Sequence, residues 1–246
     1  MGIFLHQDLI EKNHGYWNQK PLLRAVYRDF YRLIASNLSN LPGSKIVELG
    51  SGLGNIHEVI PSCVRTDLFL NTWIDQIENA YQLSFADESV SDLILTDVFH
   101  HLKYPGTALK EFFRILRPGG RVIMLEPCLS ALGLLVYGVF HDEPIAIMKK
   151  IQWHAPDGWS PANIDYYAAQ GNASRIFLGK QFQSRLSDWQ KIETKRISAI
   201  AYAASGGFSK PQLYPAFALP LIRKLESILG LFPVLFATRL LIILEK

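Results

Sequence analysis

The stretch Lys45-Ile-Val-Glu-Leu-Gly-Ser-Gly-Leu-Gly-Asn55 most constrains what this chain can fold into. Ile46 to Leu49 is a short apolar run that carries Glu48 and breaks into Gly50, Gly52 and Gly54. Apolar and β-branched residues bounded by glycine read as a buried parallel strand ending at a tight turn. Ligands of open α/β sheets bind at the carboxyl ends of such strands. Glycine there lets the backbone approach a ligand that a Cβ would hold off.

The flanking pattern extends that unit. Residues 1–20 have no clear period, but Pro21 opens a helix whose Leu22, Leu23, Val26, Tyr27, Phe30, Tyr31, Leu33 and Ile34 recur at three and four. After the glycine turn come a short helix from Asn55 to Ile60 and a second strand from Cys63 to Thr66, ending at Asp67. A weak third strand, Ile77 to Ala80, and a fourth, Ser91 to Thr96, follow. A helix from Gly106, with Leu109, Phe112, Phe113 and Leu116 on one face, stops at Arg117-Pro-Gly-Gly120, and a fifth strand runs from Arg121 to Leu125. Strand and helix alternate, which predicts an α/β fold: a Rossmann-like, seven-stranded, mostly parallel sheet with helices on both faces. Residues 128–185 break the rhythm and read as an inserted cap over the carboxyl edge of the sheet. Lys191 to Ala203 completes the pattern as a sixth strand, Leu219 to Leu229 as a helix and Arg239 to Leu244 as a last strand.

Composition narrows the partners. Lys and Arg number 25 against 22 Asp and Glu, too even a balance for a nucleic-acid-binding face. Cys63 and Cys128 read as buried thiols, and no His/Cys spacing suggests a metal set. The first eight residues are too short an apolar run for a signal peptide. Ile228 to Leu244 is interrupted by Pro233 and Arg239, so stable membrane insertion is not expected. The apolar run Leu129 to Phe140 lacks the basic face of an interfacial helix and reads as core packing, with lining a pocket for a hydrophobic acceptor or touching a membrane surface the alternatives. A soluble, cytoplasmic chain is expected; the sequence leaves its oligomeric state open.

The glycine spacing then sorts the ligand. A dinucleotide fingerprint needs a third small residue where this chain has Asn55, and a phosphate loop needs the Lys-Ser/Thr pair that is absent here. Glu48, two residues before the turn, suits a cationic ligand without phosphate. Asp67, 17 residues after Gly50, stands where an acid binds a ribose.

In order and spacing, Val47 to Gly54, Asp67, Asn79-Ala80 ahead of Leu83-Ser-Phe85, Asp92 to Leu95, His100-His101-Leu102 and Leu116 to Gly120 resemble the class I S-adenosylmethionine-dependent methyltransferases of small-molecule type. That resemblance implies S-adenosyl-L-methionine as cofactor and S-adenosyl-L-homocysteine as product. Gly50, Gly52 and the Ser51 backbone would lie along its methionine part and Thr96 near the amino group. Asp67 would hold the ribose, Asn79 and Ala80 would meet the adenine edge, and Glu48, Gly54 and Leu68 would also bind the cofactor. The family usually has Asp where Asn79 stands, and the short 50–67 interval implies a clipped first helix. His14-Gly-Tyr16-Trp17 and Arg24 look like an N-terminal lid.

By the same resemblance residues 1–246 form one methyltransferase domain: lid and helix 1–40, cofactor core 45–127, cap 128–185, and C-terminal strands and helix 186–246. The expected reaction is in-line methyl transfer to oxygen or carbon of a small or amphipathic acceptor. An oxygen acceptor needs a base; His141 leads the candidates, followed by His154 and then His100 or His101. Asp142 and Glu143 read either as further proton acceptors or as helix-capping acids. A non-catalytic cofactor-binding scaffold and a nicotinamide-dependent oxidoreductase are the alternatives.

Overall fold

Successive residues of a strand point to opposite faces of a sheet, so a strand apolar throughout is covered on both sides. The strands here obey that rule in a computed structural model, which describes residues 3–139, 143–163 and 165–246, with side chains from residue 8. Leu93, Leu95, Val122, Met124, Leu240 and Ile242 enter one core, while Ile94, Ile123, Leu125, Leu241 and Ile243 enter the other.

Seven strands form one sheet in the order β3-β2-β1-β4-β5-β7-β6. They are β1 (Ile46–Leu49), β2 (Val64–Asp67), β3 (Gln76–Ile77), β4 (Val90–Thr96), β5 (Leu116–Pro127), β6 (Lys191–Ile197) and β7 (Arg239–Glu245). The first five pair in parallel, and β7 runs antiparallel to β5 and β6. The order reverses between β1 and β4, so the crevice above their carboxyl ends is the ligand position of the sheet. Preceded by α1 (Ile3–Gln19), α2 (Pro21–Ala35) covers one face with Leu23, Val26, Phe30 and Ile34. The other face takes Leu109, Phe112 and Ile115 from α3 (Pro105–Ile115).

Several local expectations change. Residues 3–19 are helical without an apolar period, because Ile10 and Trp17 alone of their helix's described residues pack inward. The expected helix after the glycine turn is a single 3-10 turn, Asn55–Glu58. The third strand keeps only Gln76–Ile77, because Glu78 turns inward to accept hydrogen bonds from the Ser84 backbone and the Gln76 amide. Arg117 to Gly120 extends β5 rather than forming a separate stop, with a register shift against β4 between Val90 and Asp92. The long sixth strand ends at Ile197, and α6 (Ile200–Ala204) follows.

Residues 128–185 are only partly a cap. They hold α4 (Ala131–Val139) and α5 (Asn172–Phe177), but Trp153, Ile176, Phe177 and Phe182 join the core on the α3 side. Trp153 lies so close to Gly106 that a Cβ there would stand 2.2 Å from its indole nitrogen. The Leu129 to Phe140 run is not simply core: Gly133 and Tyr137 are buried, while Leu134, Leu135 and Val139 are 40%, 52% and 65% exposed. A helix apolar all round packs one stripe, and within the described chain nothing covers the other. The remaining helices are α7 (Leu219–Leu229) and α8 (Pro233–Phe236). Both cysteines are free and buried, and no described helix is long and apolar enough to cross a membrane.

Candidate active site

A cavity of about 890 Å³ opens at the crevice between β1 and β4. One pole is the glycine turn. Gly50, Gly52 and Gly54 have φ of +68°, +53° and +64°, a region L-residues avoid. A Cβ on Gly50 would stand 2.5 Å from Val98 Cγ2, so this turn and the chain after β4 touch through the missing side chain. Ser51 is tied to β2, its N–H donating to Thr66 O at 2.8 Å. Glu48 and Thr96 line the cavity, and each presents a buried oxygen, Oε2 and Oγ1, with no hydrogen-bond partner. Burial pushes the Glu48 carboxyl up to about 7, against the opposing Ser51 hydroxyl.

The opposite pole is built where β4 and β5 end side by side. Glu126, fully buried, accepts the N–H groups of Val98 and Phe99 on Oε1 at 2.8 and 2.7 Å, and its Oε2 lies 2.7 Å from His100 Nδ1. A carboxylate only accepts, so Nδ1 carries the proton and the ring is fixed with Nε2 toward Glu143 Oε2, 3.2 Å away. Glu143 also accepts from Gln170 at 2.6 Å and Tyr166 at 3.2 Å. Burial opposes charge on His100, but Glu126 and Glu143 outweigh it and raise its pKa to about 10. Burial likewise works against the Glu143 carboxylate, yet the histidines hold it down at about 2. His101 donates Nδ1–H to Tyr167 O at 2.9 Å, and burial with the charged His100 beside it lowers its pKa.

His100, His101 and Glu143 have donor atoms within 4.8 Å of one another, close enough to hold a divalent cation, where the sequence suggested no metal set. Between the poles, Asp97 (φ +58°) receives the Arg239 guanidinium, which is buried and lies over the Tyr202 ring at 4.2 Å.

The expected residues distribute unevenly. Glu48, Gly50, Ser51, Gly52 and Thr96 line the cavity; Gly54, Asp67, Leu68, Asn79 and Ala80 do not. Gly54 packs under the turn, where a Cβ would meet Trp73 O at 2.5 Å. Asp67 accepts the N–H groups of Gly52 and Leu68 at 2.9 and 2.7 Å, so it braces the turn. Asn79 donates to Pro161 O at 2.9 Å, and Trp159 packs edge-on against Tyr81 and Tyr104, covering that side with the cap. Tyr16 and Trp17 face the 207–210 segment and α2 rather than the cavity; Leu9 and Asn13 of the same helix line it instead. His154 is exposed, beside Trp153 and away from the cavity. His141 lies outside the described residues. Glu126 went unrecognised in the sequence, although an acid ending β5 must neighbour a residue following the adjacent β4.

Residues 47–124 match a family model described as a methyltransferase domain. A 71-residue stretch is 31% identical to the protein named "Probable polyketide synthase 10" of Dictyostelium discoideum, covering 27% of this chain and 3% of that protein's length. The fold resembles a SAM-dependent methyltransferase of Thermotoga maritima, described as a possible histamine N-methyltransferase, at 13% identity, TM-score 0.56, covering 97% of this chain and 99% of that one. It also resembles one of Archaeoglobus fulgidus at 11% identity and TM-score 0.53, covering 91% and 94%. Geranyl diphosphate C-methyltransferase of Streptomyces coelicolor, solved with S-adenosylhomocysteine, aligns at 12% identity and TM-score 0.50, covering 89% and 76%.

S-adenosylmethionine is the cofactor of such domains, and the first pole fits its methionine end. The bare glycine backbone admits a close ligand, and the unpaired oxygens of Glu48 and Thr96 suit an α-ammonium.

Proposed function

We propose that this chain, whose residues 47–124 match a methyltransferase domain, is a class I S-adenosylmethionine-dependent enzyme that methylates oxygen or carbon of a small or amphipathic acceptor, with His100 as the catalytic base. The cofactor, when bound, supplies a methyl activated on a sulfonium. Glu48 and Thr96 would hold its ammonium end, beside the glycine turn that Asp67 braces. The acceptor would displace Glu143, which leaves with the Nε2 proton of the charged His100 ring, and the freed nitrogen would take the acceptor proton as the acceptor gains the methyl and the sulfonium sulfur loses it. Glu126 keeps the ring in the required tautomer and balances the imidazolium.

The observation that carries this reading is the buried His100–Glu126 pair at 2.7 Å, with the other ring nitrogen at the cavity wall. The test is methyl transfer from labelled cofactor to a panel of phenolic, enolisable and glycan hydroxyl acceptors. His100→Ala is expected to lower kcat by about 10²–10⁴ while S-adenosylhomocysteine still binds. Full activity in His100→Ala on an identified acceptor refutes its role.

A further inference from the structure

A surface helix of a globular protein turns its apolar stripe inward; α7 has apolar stripes on both sides. Leu219 and Ile222 pack on the α2-side core, and Glu226 accepts the Ala201 N–H at 2.7 Å. Leu221, Leu225 and Ile228, spaced by four and three residues, form an outward stripe that is 71%, 45% and 53% exposed. The chain continues through Leu231 and Phe232, 73% and 57% exposed, into α8. That helix packs against α4, whose outward Leu135 and Val139 extend the same apolar ground. Monomeric soluble proteins seldom expose apolar patches beyond a few hundred Å², and larger ones mark interaction surfaces.

The charges around this ground select its occupant. Residues 204–238 carry Lys210, Arg223 and Lys224 against one acid, Glu226, which is turned inward; Asp29 of α2 pairs with Arg223, and Lys224 beside it is exposed. At the far end of α4, Ile145 lies against Gly138, and the exposed Ile147 and Met148 lead directly into Lys149 and Lys150. An apolar centre with a basic rim suits the boundary between acyl chains and anionic headgroups. No described helix is long enough to cross a bilayer, so the fit is to lie on one. Leu132 and Val136 of α4, together with Leu213, line the cavity, so the apolar face and the cavity share a wall.

We propose that the outer face of α4, α7 and α8 seats this protein on an anionic phospholipid bilayer, and that its acceptor reaches the cavity past α4 from the lipid. The docking stands on the surface alone; the acceptor's route rests on the methyl-transfer reading above.

The test is co-sedimentation of the full chain with vesicles of equal parts phosphatidylcholine and phosphatidylglycerol. The wild type is expected in the pellet, less so with phosphatidylcholine alone or at high salt. Leu231→Ser with Phe232→Ser, both exposed, should weaken vesicle binding about tenfold or more while leaving S-adenosylhomocysteine affinity unchanged. Lys149→Gln with Lys150→Gln should weaken the phosphatidylglycerol-dependent part about fivefold per lysine. A wild type that stays in the supernatant overturns the proposal whatever its activity. So does a dimer in vesicle-free buffer that the Leu231/Phe232 variant makes monomeric, because a second copy then covers the face. Vesicle binding by a chain that transfers no methyl supports the docking and refutes the reading of the cavity.

Discussion

Glu48 offers a prediction that reads the cofactor pole without knowledge of the acceptor. Its carboxyl is buried at the cavity wall with a pKa of about 7 and one oxygen unpartnered. At pH 7 about half of these groups hold a proton. An α-ammonium brought within about 4–6 Å favours the carboxylate and lowers its pKa by about 1–3. Binding of S-adenosylhomocysteine at pH 7 should then release about 0.4–0.5 proton. Calorimetric titration in phosphate and in Tris measures this, because the apparent enthalpy varies with the buffer's ionisation enthalpy in proportion to the protons released. Glu48→Gln should abolish the dependence. A wild type without it, or a Glu48→Gln variant that retains it, refutes the placement of the ammonium beside Glu48.

The same shift sets a stability profile. Between its ordinary value of 4.5 and about 7, the native group binds more protons than the unfolded one. Stability from the buried neutral carboxyl is therefore fully present below the unfolded value and is lost as pH rises through 7, by about 3 kcal/mol. Urea melts of the free protein should show that loss, and Glu48→Gln should flatten it.

Other outcomes follow from the same geometry. Gly50→Ala, with a Cβ 2.5 Å from Val98 and φ of +68°, should lower the melting temperature and S-adenosylhomocysteine affinity more than Gly52→Ala, whose Cβ meets nothing nearer than 3.8 Å; equal effects would deny the Val98 contact. Zinc should inhibit methyl transfer by taking His100, His101 and Glu143, and chelation should leave the untreated enzyme active; activity abolished by chelation would replace the base with a metal. Cofactor that reaches Asn79 must part it from Pro161, so S-adenosylhomocysteine should change tryptophan fluorescence, and Trp159→Phe should remove most of the change.

Much of the fold was legible because its determinants are local. Continuous apolar runs, a glycine turn and helical spacing each need a window of a dozen residues, and they located five of the strands and the helices on both faces. What failed was set by distant partners. The expected third strand shortens because Glu78 finds Ser84, and α1 is held by contacts rather than by any period of its own.

The candidate site divides along the same line. By itself the sequence determined the glycine turn, its acid and the family resemblance, because phosphate-free binding at a strand end is encoded in consecutive residues. Only the tertiary structure decided that Asp67 braces the turn, that Tyr16 and Trp17 face away, and that His100, Glu126 and Glu143 meet at the second pole. Those three come from the ends of β4 and β5 and from the segment after α4, and the parallel pairing of two strands through a buried helix is what brings their charges within hydrogen-bonding reach.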